Sequence, residues 1–130
     1  MRTDSQKHGD DAESAVAADL VAAGWTILAR NVRAGRGEID IVAIDPGPPR
    51  QLVIVEVRWR ASRGFGLAEE SIDHRKRAHL RAAIGRLLED GLPGDEPLPG
   101  LVIRVDLIVA EPPVRPGDPP RIRHHRGIAL

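Results

Sequence analysis

The sequence predicts an α/β fold in which helices pack on a mixed β-sheet. Helix-type and strand-type hydrophobic periodicities follow one another in the order α-β-β-β-α-β. The last of the predicted strands is apolar on both faces, which is typical of a strand covered by helices on both sides. The chain of 130 residues fits a single domain, 1–130, and no linker is long enough to divide it.

The first helix is predicted over residues 10–23. Val16 and Leu20 lie on one helical face, and Gly24 follows the last helical residue. Glu13 lies three and seven residues before this apolar pair, which places it at the edge of the apolar stripe.

Residues 1–8 are predicted to be a polar lead, and Asp10 or Asp11 is predicted to cap the helix. The N-terminal region lacks the apolar stretch of a secretory signal. No apolar run approaches the roughly 20 residues that span a bilayer. The absence of cysteine suits a reducing compartment. We therefore expect a cytoplasmic protein that does not bind membranes.

Three strands are predicted after the helix, over residues 25–32, 38–44 and 52–60. A tight turn at 34–37 joins the first two strands, because glycines at two of its positions permit sharp changes of direction. The sequence Asp-Pro-Gly-Pro-Pro at 45–49 predicts the loop between the second and third strands.

The second helix is predicted over 70–90, with Gly91 as its end. Its inner side is expected to carry the apolar residues Ile72, Leu80, Ala83, Ile84, Leu87 and Leu88. A loop rich in proline and glycine at 91–100 leads to the last strand, 101–110, and a second proline-rich loop at 112–120 precedes a short basic tail.

Two carboxylates come together if the central strands form a hairpin. Pairing of Ile44 with Leu52 would place Asp40 opposite Glu56, with Arg58 beside them on the same face. Opposed side chains in such a pair have Cβ atoms about 4.5–5.5 Å apart. Since adjacent carboxylates repel, their burial requires a compensating cation.

That cation could be Arg58 or a divalent metal such as Mg²⁺, which binds to one or two carboxylates and keeps several waters. Such a metal could bind a phosphate oxygen and acidify a water for attack. The alternative is a purely structural cluster of Asp40, Glu56 and Arg58. The spacing alone does not separate the two interpretations.

Several segments resemble the YraN family of small bacterial proteins. The matching stretches are ILARNVR, GRGEIDIVA and VIVEVR, together with FG at 65–66, HRK at 74–76 and RVDL at 104–107. The combination of GEID with a strand that carries VEV is the specific part of the resemblance. The family is similar to archaeal Holliday-junction resolvases, within the PD-(D/E)xK nuclease superfamily.

The resemblance implies a restriction-endonuclease-like fold and a metal-dependent nuclease that acts on DNA, including branched structures. Asp40 and Glu56 match the family's metal-binding carboxylates. Glu13 matches a glutamate of the first helix, which is a further metal ligand or organises water. The implied cofactor is Mg²⁺ or Mn²⁺.

The sequence departs from the family pattern at Arg58, where the family usually has lysine. Arginine stays protonated and cannot act as a base. It can still hold the scissile phosphate, because its planar fork matches phosphate geometry. One hypothesis is that Lys76, on the inner stripe of the second helix, partly replaces the missing lysine. The alternative, which we favour from the sequence, is a lysine whose stem only covers apolar surface.

The expected partner is nucleic acid, most directly DNA, with backbone contacts from Arg36, Arg60, Arg63 and Arg75. Lys+Arg and Asp+Glu balance at 19 each, so net charge argues neither for nor against this partner. Two alternatives remain. Arg58 favours a non-catalytic nucleic-acid-binding module, and the neutral charge keeps open a protein-interaction domain on a nuclease scaffold. Analogy with junction resolvases, which cut two strands, would make the protein a homodimer.

Two further predictions concern the core. Arg104 and Asp106 share a face of the last strand, and we expect them to form a buried structural pair rather than a catalytic one. Trp25 is expected to be a core residue.

Overall fold

The computed structural model describes residues 4–61 and 72–130. Its elements are α1 (Asp4–Ala22), β1 (Thr26–Ala34), β2 (Gly37–Asp45), β3 (Gln51–Trp59), α2 (His74–Asp90), β4 (Ile103–Glu111) and β5 (Arg121–His125). The predicted restriction-endonuclease-like fold class is confirmed, and the predicted element order is extended by one strand. Arg63 and the Phe65-Gly66 pair lie outside the described residues.

The five strands form one mixed sheet in the order β1-β2-β3-β4-β5. Strands β3 and β4 are parallel, and the other neighbours are antiparallel. The connection between β3 and β4 includes α2, as parallel pairing requires a crossover. Ile44 pairs with Leu52, so the predicted hairpin register is confirmed.

The two helices cover opposite faces of the sheet. Val16 and Leu20 of α1 pack against Ile41 and Val55, and Trp25 is buried in the same cluster, as predicted. On the other face, the buried α2 residues Ala83 and Leu87 pack against a cluster that includes Val42, Leu52 and Ile54. Full burial of a Val, Leu or Ile side chain stabilises a fold by about 1.5–3 kcal/mol, so this two-sided packing stabilises the sheet between the helices.

The helix ends differ from their predicted positions. Helix α1 begins at Asp4 rather than residue 10, so the predicted caps Asp10 and Asp11 lie within it. Helix α2 begins at His74, because the Asp73 side chain accepts a hydrogen bond from the Lys76 N–H at 2.9 Å and thereby caps the first turn. This cap fixes the start of the helix, and with it the position of Lys76.

The predicted inner stripe of α2 is correct only in part. Leu80, Ala83 and Leu87 are buried, whereas Leu88 is 56% exposed at the rim of the stripe. Ile72 precedes the helix and packs with Leu107 and Val109 of β4. No helix within the described residues is both long and apolar enough to cross a membrane.

The basic tail forms a strand that the sequence pattern did not indicate. Strand β5 pairs antiparallel with β4, from Leu107 opposite His125 to Glu111 opposite Arg121. Only Ile122 of β5 is apolar, so alternation is not visible in the sequence. The strand is held by its backbone pairing and by the buried carboxylate of Glu111, which forms ion pairs with Arg121 and Arg123.

Candidate functional site

Asp40 and Glu56 lie where strands β2 and β3 stop pairing. The β2–β3 ladder runs from Asp45–Gln51 to Ile41–Val55, which is the step directly before the two carboxylates. Beyond that step, the Val57 N–H donates to Oδ2 of Asp40 at 2.8 Å. The Asp40 side chain thus accepts a hydrogen bond from the backbone of β3 beyond the last ladder pair. Both carboxylates lie at this point, where the two strands separate, which we call the opening between the strands.

Strict alternation along β2 is interrupted at this opening. Ile39 and Val42 pack in the same apolar cluster although they are three residues apart. In β1, Asn31 has a positive φ of 53°, a conformation that asparagine adopts more readily than most residues. Asp40 lines a cavity beside α1, whereas Val42 packs under α2.

The cavity beside α1 is strongly acidic and has a volume of about 240 Å³. Its lining residues are Gly9, Asp10, Glu13, Asn31, Glu38, Asp40 and Val57. Like charges so close together favour either protonation of a carboxylate or the binding of a cation. The cavity is not enclosed, and its lining residues Asn31 and Glu38 are exposed.

Asp40 shows the electrostatic consequence most clearly. Burial and the neighbouring charge of Glu56 raise its pKa from 3.8 to about 7, although the hydrogen bond from Val57 opposes the rise. An aspartate that remains partly protonated at neutral pH is poorly stabilised as an anion. A bound cation would reverse this balance.

Glu56 is 3% exposed and has one satisfied and one unsatisfied oxygen. Its Oε1 lies 3.2 Å from Nζ of Lys76 and 3.4 Å from Nε of Arg58. Its Oε2 is buried and has no hydrogen-bond partner among the residues that the structure describes. Since an orphaned buried acceptor costs about 1–3 kcal/mol, this oxygen is a natural point for a bound cation or water.

Glu13 of α1 closes the other side of the acidic cavity. It is 6% exposed, and its Oε1 accepts a hydrogen bond from Nε of Arg30 at 3.1 Å. Burial raises its pKa, and the charges of Glu38 and Asp10 add to the rise, although Arg30 opposes it. Glu13 thus resembles Asp40 in being a carboxylate whose surroundings disfavour its charge.

Lys76 is the cation whose position the sequence left open. Its ammonium contacts Glu56, so its stem does not merely cover apolar surface. Arg58 lies beside Glu56 on the same strand, as predicted from alternation. The structure therefore brings an ammonium from α2 and a guanidinium from β3 to the same carboxylate oxygen.

The other predicted basic residues lie on different elements of the fold. Arg36 is exposed in the β1–β2 turn and lines a small cavity together with Lys76 and His79. Arg75 is exposed in the first turn of α2. Arg60 follows β3, where its backbone N–H donates to the Ala110 carbonyl at 3.0 Å. Arg36 thus shares a cavity with Lys76, the residue that contacts Glu56.

The fit of a divalent cation can be judged from these donors. In the described segments, no three carboxylate or imidazole side chains are gathered into a complete metal site. Mg²⁺ does not need one, because it is often bound by one or two carboxylates and completes its shell with water. Asp40, with its raised pKa, and Glu56, with its orphaned Oε2, fit such a site, and Glu13 can organise water at the rim.

Asp106 contrasts with Asp40 and Glu56, because it is a fully buried carboxylate with hydrogen-bond partners on both oxygens. Arg104 donates to it from Nε at 2.8 Å and from Nη2 at 2.9 Å, His124 Nε2 lies 2.7 Å away, and the Gly127 N–H donates at 3.0 Å. Burial would raise its pKa, but these hydrogen bonds outweigh burial and lower the pKa to about 2. The predicted structural pair of Arg104 and Asp106 is confirmed.

Three residues of the site were not singled out from the sequence. Glu38 and Asn31 line the acidic cavity, and His79 lines the cavity with Arg36. A signal existed for the first two: Glu38 belongs to the GEID motif, and an asparagine inside a strand suggests an unusual backbone. No sequence motif pointed to His79, because its place in the cavity depends on how α2 packs against the β1–β2 turn.

The chain is similar in sequence to the proteins of one bacterial family. The chain matches the model of the uncharacterised protein family UPF0102 over residues 12–110. A UPF0102 protein of Moorella thermoacetica is 39% identical over 108 residues, which cover 83% of each chain. One of Persephonella marina is 41% identical over 101 residues, covering 77% of this chain and 79% of the relative. One of Sorangium cellulosum is 52% identical over 79 residues, covering 61% of this chain and 53% of the relative.

Proposed function

The chain belongs to the UPF0102 (YraN) family, and we propose that it is a metal-dependent nuclease that hydrolyses phosphodiester bonds in DNA, including branched DNA. One observation carries the proposal. Asp40, which is half-buried, and Glu56, which is buried, are neighbouring carboxylates at the opening between two strands. Asp40 has a pKa raised to about 7, and Glu56 has an orphaned oxygen. Two cationic side chains, Lys76 and Arg58, stand beside the pair.

A structural role explains this pair poorly. Where this protein uses a buried carboxylate to hold the fold, at Asp106, hydrogen bonds satisfy both oxygens and lower the pKa to about 2. At Asp40 the surroundings do the opposite and disfavour the charge. A carboxylate whose ionised form is destabilised is typical of sites where a bound ligand supplies the compensating charge.

The proposed division of roles follows from the contacts. Asp40 and Glu56 hold Mg²⁺ or Mn²⁺, and Glu13 orients water across the acidic cavity. When bound, the cation supplies a Lewis acid that polarises a phosphate oxygen and acidifies a water. Arg58 holds the scissile phosphate, because its guanidinium can form two parallel hydrogen bonds to phosphate oxygens.

Lys76 takes the place of the lysine that Arg58 replaces. Its ammonium reaches the same oxygen of Glu56 from α2, at 3.2 Å, that Arg58 reaches from β3. A lysine in this position can orient the attacking water by donating to it, and it can stabilise negative charge on the phosphate as the bond breaks. The Asp73 cap fixes the turn of α2 that carries Lys76, which keeps this side chain in register with Glu56.

A second function is favoured by one contact. The pairing of Glu56 with both Lys76 and Arg58 neutralises the carboxylate without a metal. Such an arrangement also suits a module that binds nucleic acid without cutting it, with the same cations facing a phosphate.

Cleavage of end-labelled DNA distinguishes the two functions. The substrates would be a duplex, a single strand and a four-way junction, each with Mg²⁺ and then Mn²⁺. Glu56→Gln keeps the size of the side chain and removes its charge. Glu89→Gln makes the same change at a carboxylate of α2 whose side chain is 70% exposed and pairs with Arg86. We expect cleavage by the unchanged protein and by Glu89→Gln, and none by Glu56→Gln.

Binding without cleavage by the unchanged protein and by Glu89→Gln would replace the nuclease with the binding module. If the protein neither binds nor cuts any of the substrates, both functions are excluded, and a protein-interaction role on the nuclease scaffold becomes the account to test.

A further inference from the structure

We propose that the cavity between the β1–β2 turn and α2 binds the DNA backbone phosphate adjacent to the scissile one, with Arg36 and His79 as its ligands. This inference rests on the proposed nuclease function and adds a second contact point to it. The cavity has a volume of about 120 Å³ and is lined by Arg36, Gly37, Glu38, Lys76, His79 and Leu80.

The charge of the lining fits an anion. Arg36, Lys76 and His79 can each donate hydrogen bonds to phosphate oxygens, and Glu38 is the opposing carboxylate. Lys76 and His79 are three residues apart on α2, so their side chains project from the same face of the helix. Arg36 approaches from the turn, which places cationic groups on two sides of one small space.

The position of the cavity fits a neighbouring phosphate rather than an unrelated anion. Lys76 belongs to both places, because it lines the cavity and its Nζ also lies 3.2 Å from Glu56. A DNA strand that presents one phosphate to Asp40 and Glu56 would therefore have its next phosphate within reach of Arg36 and His79. Backbone contacts on either side of the reacting group set the register of the strand.

Gly37 allows the turn to lie against the helix. A Cβ at this position would come 3.3 Å from Cβ of Ala83 and 3.4 Å from the carbonyl oxygen of His79. The first distance is tighter than ordinary van der Waals contact and the second lies at its lower limit, so a side chain would shift the turn and α2 apart by a few tenths of an ångström. The glycine thus keeps Arg36 close to His79 and keeps the cavity small.

The test is a salt titration of DNA binding in EDTA, so that no metal-dependent cleavage occurs. Affinity for a short fluorescein-labelled duplex would be measured by anisotropy at several KCl concentrations. Each phosphate contact contributes about 0.9 to the slope of log K against log salt. We expect Arg36→Ala to make the slope shallower by up to this amount, His79→Ala to weaken binding at every salt concentration, and Glu38→Gln to tighten binding.

Arg81→Ala is the matched control. Arg81 is exposed on α2, two residues after His79 and so about 200° around the helix. It removes the same charge as Arg36→Ala without touching the cavity, and it should leave the slope unchanged. Because Arg36 and His79 are exposed as well, none of these substitutions removes core packing.

The outcomes separate the two proposals. Equal effects of Arg36→Ala and Arg81→Ala would show that charge anywhere on the surface matters, which would overturn the phosphate cavity and leave the nuclease standing. If the unchanged protein binds no DNA in EDTA at low salt, the phosphate cavity is overturned, whereas the nuclease is decided by the cleavage assay with Mg²⁺ and Mn²⁺.

Discussion

Replacement of Asp40 by asparagine should stabilise the metal-free protein while it abolishes metal binding. Asparagine has nearly the same shape, and its amide oxygen can accept the hydrogen bond that Val57 donates to Asp40 at 2.8 Å. It lacks the negative charge that burial and Glu56 disfavour. The variant thus removes the electrostatic cost of the site and leaves its packing in place.

The magnitude follows from the pKa of Asp40, which rises from 3.8 to about 7. One pKa unit corresponds to about 1.36 kcal/mol, so the ionised group costs at most about 4 kcal/mol. Screening by water at the cavity mouth reduces this to about 2 kcal/mol. Because the folded-state pKa is raised, the stability of the unchanged protein falls as pH rises from about 4 to about 7 and is level above that range.

Urea unfolding followed by tryptophan fluorescence would measure the difference, since Trp25 is buried in the core. In EDTA at pH 8, Asp40→Asn should unfold at a urea concentration higher by about 1 M, given a typical m-value of roughly 1–3 kcal/mol/M. At pH 4 the two proteins should differ little, and Glu89→Gln should behave as the unchanged protein at both pH values. A variant that is no more stable at pH 8, or equally stabilised at both pH values, would refute the reasoning.

Three other predictions follow from the same contacts. Lys76→Ala should slow metal-dependent cleavage by at least about tenfold, and an unchanged rate would end the proposed role of Lys76. Lys76→Arg should keep the rate of the unchanged protein only if Lys76 contributes its positive charge alone. At Mg²⁺ concentrations below saturation, the rate of cleavage should rise through about pH 7, the pKa of metal-free Asp40, because the proton and the cation compete for this carboxylate. A pH-independent rate would contradict this. Asp106→Asn should destabilise the fold by about 2–5 kcal/mol at pH 7 in urea unfolding, because it removes the buried charge that Arg104 and His124 contact and leaves Arg104 paired with Asp45. Since the pKa of Asp106 is lowered from 3.8 to about 2, the stability that it contributes is lost as pH falls from about 4 to about 2, and an unfolding midpoint that is flat over this range would argue against the network.

The strand framework was predictable because it depends on local chemistry. Alternating apolar residues and the proline-rich loop at 45–49 place β2 and β3 within one residue of their observed ends and set the pairing of Ile44 with Leu52. Strand β5 was missed because its sequence, RIRHH, shows no alternation. Its formation depends on β4 offering a free edge and on the buried carboxylates of Glu111 and Asp106.

The candidate site was predictable where it lies on one hairpin. The positions of Asp40, Glu56 and Arg58 on neighbouring strands follow from register alone. The contact between Lys76 and Glu56 depends on how α2 packs on the sheet, and the sequence could place Lys76 only on the inner stripe of that helix. The cavity that Asp40 shares with Glu13 of α1 also escaped prediction, because it depends on how α1 packs beside β1 and β2.

The most direct test of the central claim, that Asp40 and Glu56 together hold a divalent cation, is a calorimetric titration of the protein with Mn²⁺ at pH 8. We predict saturable binding by the unchanged protein and by Glu89→Gln, and its loss in both Asp40→Asn and Glu56→Gln. Binding of equal affinity in all four proteins would place the metal elsewhere, and the absence of binding in all four would remove the metal from the account.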